Sequence, residues 1–169
     1  MKDFKELMKF IYKWEGDPGY VNHPDDPGGE TKYGIAKTFY PHLDIKNLTK
    51  EEATDIYFRD YYQRNNVSKI PDFMQLPYFD CCINQGFNRA NKLLQKAINL
   101  QADAFNFYPI SVDGLVGPIT RGMCSRVNSH ILILDFIRLR LDHYRRISFR
   151  EKFLLGWENR MNDLIVHSL

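Results

Sequence analysis

Glu15 is the residue of this 169-residue chain best placed for acid–base chemistry. Phe4, Leu7, Met8, Ile11 and Trp14 recur at helical spacing, and Gly16 and Pro18 follow, so a first helix with one apolar face should stop at Glu15. A carboxylate there meets the negative end of the helix dipole, and the neighbouring Trp14 limits its solvation. Both effects favour the protonated form that a general acid needs near neutral pH. Residues 16–34, dense in Gly, Pro, Asp and Asn, read as an ordered loop with a short hairpin. This loop supplies Asp25 and Asp26, either of which could act as base, nucleophile or electrostatic stabiliser opposite such an acid, and Thr31, whose hydroxyl could position a water. Glycosidic cleavage uses that combination. Helix position alone leaves open the plainer reading, a surface carboxylate near a helix end.

Other chemistries find less support. Asp25, Asp26 and Glu30 could face a calcium ion, but the EF-hand order is absent and the Pro and Gly positions already explain a tight turn. Gly28-Gly29 belongs to no phosphate loop, and the chain has neither CxxC nor HExxH, so no metal or other cofactor is expected. Cys81, Cys82 and Cys124 are an odd number, two of them adjacent, and read as free buried thiols. His23 and His42 have no nucleophile motif beside them, which disfavours a cysteine amidase or peptidase. Tyr57, Tyr61 and Tyr62 could stack on sugar rings, and their helical spacing suits core packing equally well. The basic run Arg138 to Lys152 is interleaved with apolar positions and with Asp142 and Glu151. It reads as a solvated helix face rather than a nucleic-acid surface.

Around these residues the chain reads as mainly α. Thr49 with Glu52 forms a capping box that opens a helix through Tyr57, Tyr61 and Tyr62. After Ile70-Pro71, helices are expected from Phe79 to Phe87, from Leu93 to Leu100, along Val127 to Tyr144, and from Phe153 to Ile165, with a second loop over residues 103–118. Apolar residues make up 44% and aromatics 14%, enough for a packed core. Residues 1–80 hold 11 Lys or Arg against 14 Asp or Glu, whereas residues 81–169 hold 12 against 7. An acidic front and a basic back would suit an acidic site beside a surface attracted to an anionic polymer. That change of character divides the chain into regions 1–80 and 81–169, packed as one globular unit. The N-terminus mixes charges throughout and lacks a signal-peptide core, and no run of about 18 apolar residues exists to span a membrane.

Two segments resemble a known family. Asp25 to Ile35 (DDPGGETKYGI) matches, position for position, the D-D-P-G-G-x-T-x-x-G-I of the glycoside hydrolase 108 family, and Glu15-Gly16 with Tyr20-Val21-Asn22 resembles its preceding E-G-G-Y-V-N. Here the first element reads E-G-D-P-G-Y, with Asp17-Pro18 inserted in the turn. Farther on, Asn84-Gln85-Gly86, Arg89-Ala90, Leu94-Gln95, Asp113 to Thr120 (DGLVGPIT) and Gly156-Trp157 with Arg160 resemble the family's peptidoglycan-binding C-terminal region.

The resemblance implies a lysozyme-like helical fold with a Gly/Pro/Asp-rich active-site loop. It also implies hydrolysis of the β-1,4 bond between N-acetylmuramic acid and N-acetylglucosamine. Glu15 falls on the family's catalytic glutamate. Asp25 or Asp26 is the first choice for its partner, with Asp80 in reserve. Tyr20, Tyr61, Tyr62, Asn84 and Gln85 are the expected substrate contacts. The family includes phage endolysins and muramidases that assist secretion. The expected partners are therefore peptidoglycan glycan strands and a holin or secretion system, for a monomer made in the bacterial cytoplasm that acts in the periplasm or cell wall. A wall-binding module with impaired catalysis is the alternative.

Overall fold

The first helix forms where the apolar periodicity requires it. The computed structural model describes residues 3–15, 19–22, 29–146 and 151–169, with side chains of the last segment from residue 155. Helix α1 (Phe4–Glu15) turns Leu7, Met8, Phe10, Ile11 and Tyr12 inward. Its start is capped by Asp3, whose carboxylate accepts from the Lys5 backbone N–H at 3.1 Å. The chain divides into two compact units, Lys2–Arg64 and Asn65–Leu169. Residue 80, where the composition changes, lies inside a helix of the second unit.

In the first unit a small antiparallel hairpin follows α1. Strands β1 (Thr31–Lys32) and β2 (Ile35–Ala36) pair Thr31 with Ala36 and Lys32 with Ile35. The two-residue turn between them, Tyr33-Gly34, has φ of +52° and +77°. Positive φ at both positions gives the backbone twist that a tight hairpin requires, and glycine reaches it without strain. Helix α2 (Lys50–Ile56) begins at the expected capping box, with Thr49 and Glu52 exchanging bonds. It then widens into a π-helix over Tyr57–Gln63 instead of continuing as α. Its far end shows the i→i+5 pattern, the Arg64 N–H donating to the Arg59 carbonyl at 3.3 Å.

The second unit is built on α3 (Asp72–Gln85). Every residue from Met74 to Cys82 is buried, so this stretch of the helix has no solvent face and must run through the middle of its unit. It begins earlier than the apolar pattern from Phe79 suggests and passes through Pro77. Around it pack α4 (Phe87–Asn99), α6 (Ser129–Arg146) and α7 (Glu151–Ser168), with the short α5 (Pro118–Cys124) against α4. Pro118 opens α5, where a missing N–H costs nothing. The Asp113-Gly114 turn is held by Gln95, which accepts from the Gly114 N–H at 2.9 Å and donates to the Asp113 carboxylate at 2.7 Å. Gly114 itself sits at φ +82°. The expected mainly α, lysozyme-like architecture is therefore present.

Candidate functional site

Glu15 is the last residue of α1 and is half-buried. The backbone of the hairpin turn lies against it: a Cβ added to Gly34 would stand 3.1 Å from Glu15 Cβ and 3.3 Å from its Cγ. The same Cβ would collide with the Tyr57 hydroxyl. That hydroxyl donates to the Tyr33 carbonyl at 3.0 Å, so the first residue of the π-helix pins the turn that packs on Glu15. Tyr57 is 1% exposed, and its ring meets Tyr12 edge-on at 6.1 Å and Tyr61 at 5.5 Å. Helix end, turn and π-helix thus come together around the Glu15 side chain.

Tyr61 completes this arrangement. Burial raises its pKa, a hydrogen bond with Tyr40 opposes the rise, and the charges of Asp60 and Glu15 add to it. The hydroxyl is therefore a neutral hydrogen-bonding group within electrostatic reach of Glu15. Behind it, the Tyr40 hydroxyl donates to Asp60 at 3.0 Å. Arg59 holds Asp60 through two bonds of 2.7 and 3.0 Å. The Arg59 bond chiefly keeps the Asp60 carboxyl below its ordinary pKa. Nothing in the sequence links Tyr40 to Asp60, because twenty residues separate them and no motif joins them.

The expected site residues are distributed unevenly. Thr31 begins β1, and its hydroxyl donates to the Gly29 carbonyl at 3.4 Å. Its backbone pairs with Val21 through two bonds of 2.8 Å, fixing the chain on either side of residues 22–30. Tyr20 is exposed and donates to Glu30 at 3.0 Å. Asp25 and Asp26 lie outside the described residues, as do Gly16 and the inserted Asp17-Pro18. Tyr62 belongs to an apolar cluster, its ring stacked on Phe58 at 5.6 Å and tilted against Phe4 at 5.1 Å. Asn84 and Gln85 stand at the end of α3 in the second unit. Asp80 is fully buried there, bound by Arg140 at 2.7 Å and Arg160 at 2.6 Å, and so is closed to solvent and substrate alike.

Among the described residues no group of three or more His, Cys, Asp or Glu is placed to hold a metal ion. A groove of about 690 Å³ runs between α1 and α2, bounded by Lys5, Lys9, Tyr12 and Lys50, and Glu15 does not line it. Among the described residues no helix is long and apolar enough to cross a membrane.

Residues 8–86 match the family model described as Glycosyl hydrolase 108. That span begins within α1 and ends just past α3, so it includes Glu15 and the hairpin. The solved structure titled "Structure of Brucella abortus SagA" superposes with a TM-score of 0.80 at 27% identity, covering 98% of this chain and 92% of that one. No curated protein matches the chain.

Proposed function

We propose that the protein, whose residues 8–86 match the glycosyl hydrolase 108 family model, is a peptidoglycan-acting glycoside hydrolase and specifically an N-acetylmuramidase. It cleaves the β-1,4 bond between N-acetylmuramic acid and N-acetylglucosamine, as a phage endolysin or as a muramidase serving secretion. The observation that carries the reading is the placement of Glu15 where α1 stops, against the turn Tyr33-Gly34.

In this mechanism Glu15 protonates the glycosidic oxygen as the leaving sugar departs. Asp25 or Asp26 stabilises the positive charge that develops at the anomeric carbon, or draws a proton from water held near Thr31. A fixed carboxyl group matters because general acid catalysis depends on hydrogen-bond reach to the oxygen it protonates. Tyr57 and Gly34 supply that fixity: one locks the turn, and the other lets it approach the acid without a side chain between them. Tyr61 offers a neutral hydroxyl beside the acid for a sugar hydroxyl to bond.

The experiment is a purified Glu15→Gln protein on isolated peptidoglycan, with released fragments identified by mass spectrometry and new reducing ends counted. Glycan cleavage should fall by roughly 10²–10⁴-fold, the range expected for loss of a positioned acid. Near-normal cleavage would sink the assignment of Glu15. A wild-type protein that binds sacculi but releases no fragments would favour a wall-binding module. New amino groups without new reducing ends would identify an amidase or peptidase.

A further inference from the structure

The second unit carries a basic groove that Glu15 chemistry does not use. Its volume is about 630 Å³, and it runs between α4 and α6. Arg89, Lys92 and Lys96 line it from α4, and Arg146 lines it from the end of α6. On α4 the first and last of these are seven residues apart, about 10 Å along the axis. Among the described residues one carboxylate, Asp142, faces these four cations. Among the described residues no ion pair forms on Arg89, Lys92, Lys96 or Arg146, though Arg145 and Arg138 nearby do form them. Burial lowers the pKa of His143 in the groove wall, and Arg89 and Arg146 lower it further, so the two guanidinium groups converge on one imidazole from different helices.

Two other features distinguish this groove from an ordinary solvated face. Gln85, at its end, has its side-chain oxygen engaged by the Cys81 thiol at 3.5 Å. Its amide nitrogen is buried without a hydrogen-bond partner. A buried donor with no acceptor is destabilising, a deficit that a ligand oxygen would remove. The groove also has apolar walls in Phe87, Leu93 and Leu139. Bare phosphate has no use for apolar walls, whereas a peptide with carboxylates and small apolar side chains fits both surfaces.

We propose that the α4–α6 groove binds an acidic peptide, its carboxylates on Arg89, Lys92, Lys96 and Arg146 and a backbone or carboxylate oxygen on Gln85. Taking the ligand as the stem peptide of the wall glycan rests on the function proposed above; the groove's preference for an acidic peptide does not. Binding there would hold a peptide-bearing strand independently of Glu15, adding a second attachment to the same polymer.

The test uses the full-length Glu15→Gln protein and calorimetric titration with a synthetic stem-type tetrapeptide of alanine, glutamate, a diamino acid and alanine. The same peptide with its carboxylates amidated, and inorganic polyphosphate, are the comparison ligands. The acidic peptide should bind at least tenfold more tightly than the amidated one, with affinity falling as salt rises. Paired charge reversal, R89E with K92E, should weaken it at least tenfold. R126E makes the same kind of charge change outside the groove and should leave binding intact. Thermal unfolding of each variant checks that the fold is kept, and the single K96E change serves if the pair does not fold. Equal affinity for the amidated peptide, or no effect of the reversals, overturns the proposal. Tighter binding of polyphosphate through the same residues overturns the peptide and makes the groove a phosphate site. Reducing-end assays of the Glu15→Gln protein are separate, so failure of the muramidase reading and failure of the groove remain distinguishable.

Discussion

Gly34 has two constraints at once, and they predict different losses. At φ +77° any other residue is strained, by roughly 1–3 kcal/mol for such conformations. A Cβ there also presses on Glu15 and on the Tyr57 hydroxyl. Gly34→Ala should therefore lower the melting temperature and reduce turnover by more than the stability loss explains, measured well below the transition. Tyr57→Phe removes only the bond to the Tyr33 carbonyl. It should cost about 1 kcal/mol in denaturant unfolding and lower kcat with little change in KM, since the turn loosens while the carboxyl group remains. Unchanged kcat in both variants would show that the turn does not position the acid. Glu15 was legible in the sequence because a periodic apolar stripe and an abrupt Gly/Pro stop place it by local rules alone. The contact of Gly34 with Glu15 was not, because it depends on how a hairpin folds back on a helix, and the motif containing Gly34 does not encode that distance.

The π-helix is the element that departs most from the sequence pattern. Tyr57, Tyr61 and Tyr62 fit a simple continuation of α2, and nothing in their spacing announces i→i+5 bonding. The capping box at Thr49 fixed the start of this segment correctly, because a cap is local chemistry. Its widened end depends on packing: Tyr62 turns into the cluster with Phe4 and Phe58 while Tyr57 reaches the hairpin, and an i→i+5 turn holds one more residue than an α turn. Adding one alanine after the exposed Arg59 exceeds what the widened turn holds and should therefore rotate Tyr61 and Tyr62 relative to Tyr57. Far-UV circular dichroism should stay helical while glycan cleavage drops at least tenfold. Retained cleavage would mean that the placement of Tyr61 beside Glu15 is incidental. The stretches at α5 and the Asp113-Gly114 turn needed no such tertiary correction, since Pro118 and Gly114 dictate their own backbone.

Taken as a folded whole, the protein keeps its most reactive and most charged interior groups in the second unit. Burial raises the thiol pKa of Cys81 to about 11 and of Cys124 to about 12, so both should resist alkylation at pH 8 and react only as the chain unfolds. Alkylation of the native protein at the rate of a free thiol would contradict that burial. Asp80 offers the more searching test. Burial opposes its charge, yet Arg140 and Arg160 outweigh it and hold the carboxyl below its ordinary pKa. A carboxyl depressed in the folded state stabilises above its unfolded value, near 3.9, and that contribution disappears as pH falls through the folded value. Unfolding free energy should therefore decline from about pH 5 downward, and Asp80→Asn should flatten that decline. The same variant leaves two guanidinium groups buried without an anion, which should cost about 3–5 kcal/mol at pH 7. Arg140→Met should be milder. Asp80 then keeps both bonds to Arg160, the cluster passes from one excess positive charge to none, and the Arg140 Nε, buried without a partner, disappears. If Arg140→Met proves as damaging as Asp80→Asn, the clamp is held by the geometry of three helices rather than by its charge balance.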